Sequence, residues 1–428
     1  MAEAASKYID HAEQICSVVD GLTVTPVEIK TVGIIGAGLM GGGIGMCCAE
    51  VGIKVKMFDI NEEALKKGMG VITSNFKRSK RLSEEQKAQY IGNMSGTVNM
   101  ADLADCDLIV EAVFEEMGIK KDIFTKLDKV CKPGAFLCSN TSYLSIDEIA
   151  SVTSRPECVM GTHFFSPANV MKLLENVKGA KTSELTIASM MAWGKRIGKT
   201  CILVGNCHGF VGNRMVQFYS GSSRKMLEMG LLPEHVDGAA AKFGMRMGPI
   251  AMSDLVGLDL GIQAIKKAGA YDPERNFDHA LIHAGRLGQK NLKGFYDYDE
   301  SRKAKPSPAV AEILKQVMKN KGCNSVQLNE EQVIEYLLFP MINEAFNILA
   351  EGIAQRPSDI DVCYCNGYSF PRKRGGPMYY ADTVGLAKVK SVLETMGVKV
   401  APLLEEVIRS GKTLAEYWAA KTTPTSKL

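Results

Sequence analysis

From residue 28 onward, brief apolar runs alternate with amphipathic stretches. Residues 32–35, 53–58, 108–110, 135–138, 159–161 and 201–204 are short, largely apolar and bounded by polar or glycine-containing segments, so they read as strands. Between them, stretches such as 120–130 place apolar side chains at helical spacing. Strands alternating with helices predict an α/β domain, its mainly parallel sheet covered on both faces. After residue 208 the pattern turns helical. Val333, Ile334, Leu337, Leu338, Met341, Ile342, Ala345, Phe346 and Leu349 recur at i, i+3, i+4 and i+7. Pro340 should kink that helix and Gly352 should cap it.

An internal repeat lies within the helical part. Residues 248–258 (GPIAMSDLVGL) match residues 376–386 (GPMYYADTVGL) at six of eleven positions without a gap. Each copy follows a helical segment that ends at a glycine, Gly230 and Gly352. Two tandem all-α domains are therefore expected, packed on each other because a repeat unit buries its apolar face against its neighbour. Residues 301–325 are polar and Lys-rich, with prolines at 306 and 308, and read as a linker. The chain thus divides into a partly helical lead-in (1–27), the α/β domain (28–208), a first helical domain (209–300), the linker (301–325) and a second helical domain (326–428).

Composition removes several classes. With 51 basic and 48 acidic side chains among 428 residues, the net charge of +3 gives no electrostatic case for nucleic acid or an acidic membrane surface as main partner. Residues 31–49 are uncharged, but seven of them are glycine, so they read as strand, turn and helix, and no membrane span is expected. The 12 cysteines are scattered without zinc-site spacing and read as reduced core thiols, with no metal site and no disulfide framework. Residues 1–20 carry charges throughout and contain no signal-peptide apolar region. The chain ends in Ser426-Lys427-Leu428, a tripeptide read by the peroxisomal import receptor, after a polar stretch that should expose it. Peroxisomal localisation, with that receptor as a partner, is the expectation.

Gly36-Ala37-Gly38-Leu39-Met40-Gly41 is a G-x-G-x-x-G between a predicted strand and a predicted helix. Gly36 permits the tight turn, Gly38 lets backbone approach a pyrophosphate, and Gly41 allows close helix–strand packing. The helix N-terminus offers free N–H groups and a positive dipole end to phosphates. Asp59, 18 residues past Gly41 at the end of the next strand, can hold both ribose hydroxyls and would repel a 2′-phosphate. A Rossmann-type domain that binds NAD rather than NADP is expected.

Downstream come Ser139-Asn140-Thr141-Ser142, Gly161-Thr162-His163-Phe164-Phe165, Met171-Lys172-Leu173-Leu174-Glu175 and Gly209-Phe210-Val211-Gly212-Asn213-Arg214. Singly, each has an ordinary explanation: a core histidine beside aromatics, helix caps at Ser142 and Asn213, a solvated Glu175. Together they suit oxidation of a secondary alcohol. Histidine takes the hydroxyl proton, a carboxylate holds its other ring nitrogen, and a serine hydroxyl and an asparagine amide support the oxygen as its charge changes. No metal is needed.

On these motifs the chain resembles the L-3-hydroxyacyl-CoA dehydrogenase family over about residues 28–420. The resemblance implies His163 as base, Glu175 as its orienting partner, and Ser142 and Asn213 at the reacting oxygen. It also implies that Glu115 and Lys120 contact NAD, with Asn140 near the nicotinamide end and Leu39 and Met40 in the fingerprint. The basic segment Lys77, Arg78, Lys80 and Arg81 meets the CoA phosphates by the same analogy, although its spacing suits a solvated helix face equally well. The doubled helical domain and the C-terminal tripeptide are similar to the dehydrogenase half of the multifunctional peroxisomal β-oxidation enzymes. Their N-terminal enoyl-CoA hydratase domain has no counterpart here, so hydratase or isomerase activity is expected to be absent. In family members with one helical domain that domain mediates dimerisation, so the second copy implies a monomeric pseudo-dimer. Aligning the repeats places Glu335 opposite Asn213, which implies one active site per chain. Two other functions fit the residues: an NAD-dependent dehydrogenase of a free hydroxy acid, and a non-catalytic NAD-binding protein on the same fold.

Overall fold

The apolar runs become strands of one sheet: β1 (Thr31–Ile35), β2 (Lys54–Phe58), β3 (Met94–Thr97), β4 (Leu108–Glu111), β5 (Phe136–Ser139), β6 (Val159–Phe164), β7 (Leu173–Lys178) and β8 (Thr200–Gly205). Their order is β3-β2-β1-β4-β5-β6-β7-β8, and every neighbouring pair is parallel except β6 with β7. Sequence pattern misses β3 and β7. The first is a polar edge strand, Met94-Ser95-Gly96-Thr97, and the second is hidden inside a motif read for its chemistry. Helices α1 (Ala2–Ile15), α2 (Leu39–Glu50), α3 (Glu62–Arg78), α4 (Glu84–Gly92), α5 (Met117–Val130), α6 (Ile146–Ala150) and α7 (Glu184–Arg196) connect and flank the strands. Local chemistry explains their starts. Asn61 accepts from the amides of Glu63 and Ala64, and α3 carries acid in its first turn and base in its last, matching the helix dipole.

The computed structural model describes residues 2–422 and divides into two compact units. One comprises residues 2–214 and 348–368, the other 215–347 and 369–422. This corrects the sequential division expected above, because residues 348–368 leave the second helical domain and join the nucleotide-binding unit. Gly205 N donates to Ile353 O at 2.7 Å, and helix Pro357–Gly367 packs on β7, β8 and α1. Nor is the N-terminal segment a mere lead-in. Ala5, Ile9 and Ala12 are buried, and the Tyr8 hydroxyl donates to Asp361 at 2.7 Å. The tripeptide Ser426-Lys427-Leu428 lies outside the described residues.

Asp359, on the same helix, is fully buried with Arg356 at 3.3 Å. Burial pushes its carboxyl up to about 7, against the opposing pull of Arg356. Its folded pKa therefore lies above the unfolded carboxylate value, and the folded state loses stability as pH rises between them. Asp359→Asn should remove that loss. In urea titrations the variant should gain about 2 kcal/mol relative to the parent between pH 5 and pH 8. A difference that stays constant over this range would show that Asp359 does not titrate there.

The other unit is helical. Among its described residues, 301–325 are not a linker: they contain strand Ala304–Pro306 and helix Pro308–Lys321. Pro308 occupies the first helical position, and Val310, Leu314 and Val317 form a buried i, i+4, i+7 stripe. Lysines on the solvent side had masked that period. The two repeat copies build the same local structure. Pro249–Val256 and Pro377–Val384 are helices of equal length, each bounded by glycine at both ends. In each, the shared aspartate accepts two backbone amides, Asp254 from Phe295 and Tyr296, Asp382 from Leu414 and Ala415. Helix Glu330–Ala350 is long and apolar enough to cross a membrane, but 78% of its apolar window is buried, as in a core helix.

Candidate active site

The fingerprint forms the turn from β1 into α2. Gly36 has φ +100° and donates to Phe58 O at 2.8 Å, joining the ends of β1 and β2. A Cβ on Gly41 would come within 1.9 Å of Gly36 O, so only glycine lets α2 start this close to the turn. A Cβ on Gly38 would meet nothing within 4 Å, so bare backbone faces open space, which suits an approaching pyrophosphate. The α2 N-terminus has no side-chain cap, and Leu39 in its first turn is exposed while Met40 is half-buried. Asp59 Oδ2 accepts from Ala37 N at 3.0 Å, which ties the carboxylate to the cradle. A cavity of about 440 Å³ opens beside it, lined by Ala37, Gly38, Leu39, Asp59, Lys67 and Asn75 among others. These residues fit a dinucleotide: donors for phosphates, a carboxylate for ribose and no side chain in the way.

Across the sheet, at the same carboxyl edge, lies the imidazole–carboxylate pair. His163 and Glu175 are register partners in the antiparallel β6–β7 ladder, so the fold sets them side by side despite twelve residues of separation. His163 Nδ1 lies 2.7 Å from Glu175 Oε2, and both side chains are buried. The other carboxylate oxygen, Oε1, accepts from Gly212 N at 3.0 Å and Val211 N at 3.2 Å. Phe210, just before these amides, sits at φ +51°, a left-handed conformation that costs a phenylalanine about 1–3 kcal/mol. Its fully buried ring, 5.7 Å from that of His163, holds it there and turns the two N–H groups toward Glu175. Cys363 Sγ lies 3.9 Å from the same oxygen. Burial, reinforced by Glu175, pushes that thiol well above its ordinary range and keeps it protonated.

With Nδ1 engaged by the carboxylate, neutral His163 carries its free lone pair on Nε2, the state of a general base. Asn213 follows Gly212 directly, and its Nδ2 approaches Ser142 O at 3.4 Å. Four candidates, Ser142, His163, Glu175 and Asn213, are thus tied into one region of a single unit. Asn140 is there too, but its Oδ1 accepts from Phe164 N at 2.9 Å and so clamps the β5 loop to β6.

Two residues expected to contact the cofactor, Lys120 and Glu115, have partners within the protein. Lys120 does not present its ammonium to open space: it is buried, 2.7 Å from Glu111 and 3.4 Å from Glu115. Desolvating a lysine demands such pairing, and Glu111 supplies it from the end of β4. Glu115 uses Oε1 to organise the loop after β5, accepting from Thr141 Oγ1 at 2.5 Å, Ser142 N at 2.8 Å and Tyr143 N at 3.1 Å. Burial raises its pKa, but Thr141, Lys120 and the two amides outweigh that and hold the carboxyl below its ordinary range. Lys77, Arg78, Lys80 and Arg81 are exposed at the end of α3 and just beyond it, and neither Lys77 nor Lys80 forms an ion pair among the described residues.

Sequence reasoning missed Glu111, Lys67, Cys363, Tyr364 and Tyr368. Lys67 left a signal, since Ala64, Lys67, Gly68, Val71 and Asn75 form one helical stripe that lines the cavity. Cys363, Tyr364 and Tyr368 left none, because only folding brings residues 357–368 under β7.

A protein that oxidises or reduces through a bound dinucleotide is the class that this edge of the sheet describes. The chain belongs to the 3-hydroxyacyl-CoA dehydrogenase family: residues 31–207 match its NAD binding domain, and residues 209–298 and 333–417 match its C-terminal domain. It is 40% identical over 418 residues to the peroxisomal bifunctional enzyme of Danio rerio, covering 92% of this chain and 58% of that protein. The human peroxisomal bifunctional enzyme is 42% identical over 395 residues, covering 87% and 54%. The chain therefore spans little more than half the length of these relatives. Among solved structures, the dehydrogenase part of C. elegans multifunctional enzyme 1 matches with TM-score 0.68 and 30% identity, covering 94% of this chain and 96% of that one. The 3-hydroxybutyryl-CoA dehydrogenase of Escherichia coli matches with TM-score 0.75 and 25% identity, covering 90% and 100%.

Proposed function

We propose that this protein oxidises (S)-3-hydroxyacyl-CoA to 3-oxoacyl-CoA with NAD, in peroxisomal fatty-acid β-oxidation. The observation that carries this is the His163–Glu175 pair, 2.7 Å apart at the same sheet edge as the dinucleotide cradle. His163 Nε2 takes the proton from the substrate hydroxyl as the C–H bond breaks. Glu175 keeps Nδ1 protonated and stabilises the imidazolium that forms. Ser142 and Asn213 donate to the oxygen as it becomes a carbonyl and hold the carbon in line for transfer. NAD, when bound, supplies the hydride acceptor. The resemblance would bring the amide of Asn140 close to the nicotinamide end.

Recognition of CoA rests on Lys77 and Lys80, exposed cations with no partner among the described residues, and on Lys67 lining the neighbouring cavity. The peroxisomal part rests on the Ser426-Lys427-Leu428 ending and on relatives named as peroxisomal enzymes. Two matches to the C-terminal domain in one chain favour a monomer in which the second copy stands in for a partner subunit.

Purified protein should oxidise NADH when given acetoacetyl-CoA or longer 3-oxoacyl-CoA esters, followed by absorbance at 340 nm. Free acetoacetate should be a far poorer substrate, because it lacks the phosphates the basic segment would grip. No NADH oxidation with any ester in the series would sink the assignment. Equal rates with the free acid would instead favour a hydroxy-acid dehydrogenase.

A further inference from the structure

We propose that Tyr368 is a positioning residue for this reaction, its hydroxyl setting the side-chain amide of Asn213 so that the NH2 group faces the reacting oxygen. This role rests on the function proposed above. Tyr368 O–H donates to Asn213 Oδ1 at 2.7 Å. A primary amide has one acceptor end and two donors, and only the donor end stabilises an oxygen that gains negative charge. By occupying the acceptor end, Tyr368 leaves the NH2 end free to serve. On that side the contact to Ser142 O, at 3.4 Å, is long and engages one hydrogen.

The tyrosine is itself held. Its ring stacks on Tyr364, with centroids 4.8 Å apart and planes 20° apart, and the Tyr364 hydroxyl donates to Gly212 O at 3.1 Å. Its edge meets Phe165 at 5.5 Å, and Phe165 lies 4.7 Å from the ring of His163. Gly212 makes the approach possible, since a Cβ there would come within 2.5 Å of the Tyr368 hydroxyl. The second glycine of Gly209-Phe210-Val211-Gly212 thus leaves room for a tyrosine more than 150 residues away, immediately before the asparagine that tyrosine addresses. Burial, with Glu175 nearby, keeps the phenol well above its ordinary pKa, so it remains a neutral donor at every working pH.

The test is a double-mutant cycle on the full chain, comparing the parent, Tyr368→Phe, Asn213→Ala and the double variant with acetoacetyl-CoA and NADH. Phenylalanine keeps the ring, its stack and its edge contact, so only the hydroxyl is lost. Tyr368→Phe should lower kcat about tenfold. KM and NADH affinity, read by fluorescence titration, should stay within about twofold, because Tyr368 acts on the reacting oxygen and not on binding. In the Asn213→Ala background the same change should cost nothing further, since the hydroxyl then has no amide to set. An unchanged kcat for Tyr368→Phe, or an equal loss in both backgrounds, would overturn the role. A parent enzyme silent toward every 3-oxoacyl-CoA would overturn the reaction itself and this role with it.

Discussion

His163→Gln should lower kcat by about 10²- to 10⁴-fold while NADH binding stays within about twofold of the parent. Glutamine has a similar reach, and its amide can donate to Glu175 Oε2, where His163 Nδ1 now lies at 2.7 Å. The buried carboxylate therefore keeps a partner, and the cost of an unpaired charge is avoided. What disappears is a group that can take a proton at neutral pH. NADH affinity follows the cradle at Gly36, Gly38 and Asp59, just past the ends of strands β1 and β2, which this change does not touch. Fluorescence titration gives binding and absorbance at 340 nm gives turnover. Turnover within tenfold of the parent would remove His163 from the chemistry, whereas loss of both binding and turnover would indicate a structural role.

Glu175→Gln should cost about 10³-fold in kcat with the fold retained. The reason lies in the two backbone amides. Val211 N at 3.2 Å and Gly212 N at 3.0 Å both need an acceptor, and the only one a glutamine offers is its single oxygen. Its NH2 must then face His163, which forces Nδ1 to accept and moves the ring proton to Nε2. The imidazole is left in the tautomer that cannot take a proton from substrate. Far-ultraviolet circular dichroism and NADH titration should match the parent. Near-normal turnover would show that Glu175 neither selects the tautomer nor stabilises the imidazolium.

Both predictions depend on a geometry that was only partly readable in the sequence. Strand–turn–helix around Gly36-Ala37-Gly38-Leu39-Met40-Gly41 was readable because it is local: three glycines at set offsets meet three steric demands, and the flanking apolar runs supply the strand and the helix. Helix Glu330–Ala350 was readable because its apolar period is strong enough to survive an internal proline. Helix Pro308–Lys321 is not legible because its buried stripe is only three residues long and is set among lysines and other polar side chains. Strand β7 is not legible because it is covered on both faces, so Leu173-Leu174-Glu175-Asn176-Val177 shows no alternation of apolar and polar positions. Nothing local in the sequence reveals that Lys120 is buried against Glu111.

The sequence by itself determined the local chemistry: which turn could cradle a dinucleotide, which residue types could move a proton, and which strongly patterned segments would be helix or strand. Short-range sterics and side-chain periodicity decide these, and they act within a few residues. Tertiary structure alone decided which groups meet. An antiparallel ladder put His163 opposite Glu175, a strained Phe210 turned two amides onto that carboxylate, and the helix of residues 357–367 carried Cys363 to the carboxylate and, at its end, Tyr368 to Asn213. Such meetings depend on how distant segments share one buried volume, and no spacing along the chain encodes that.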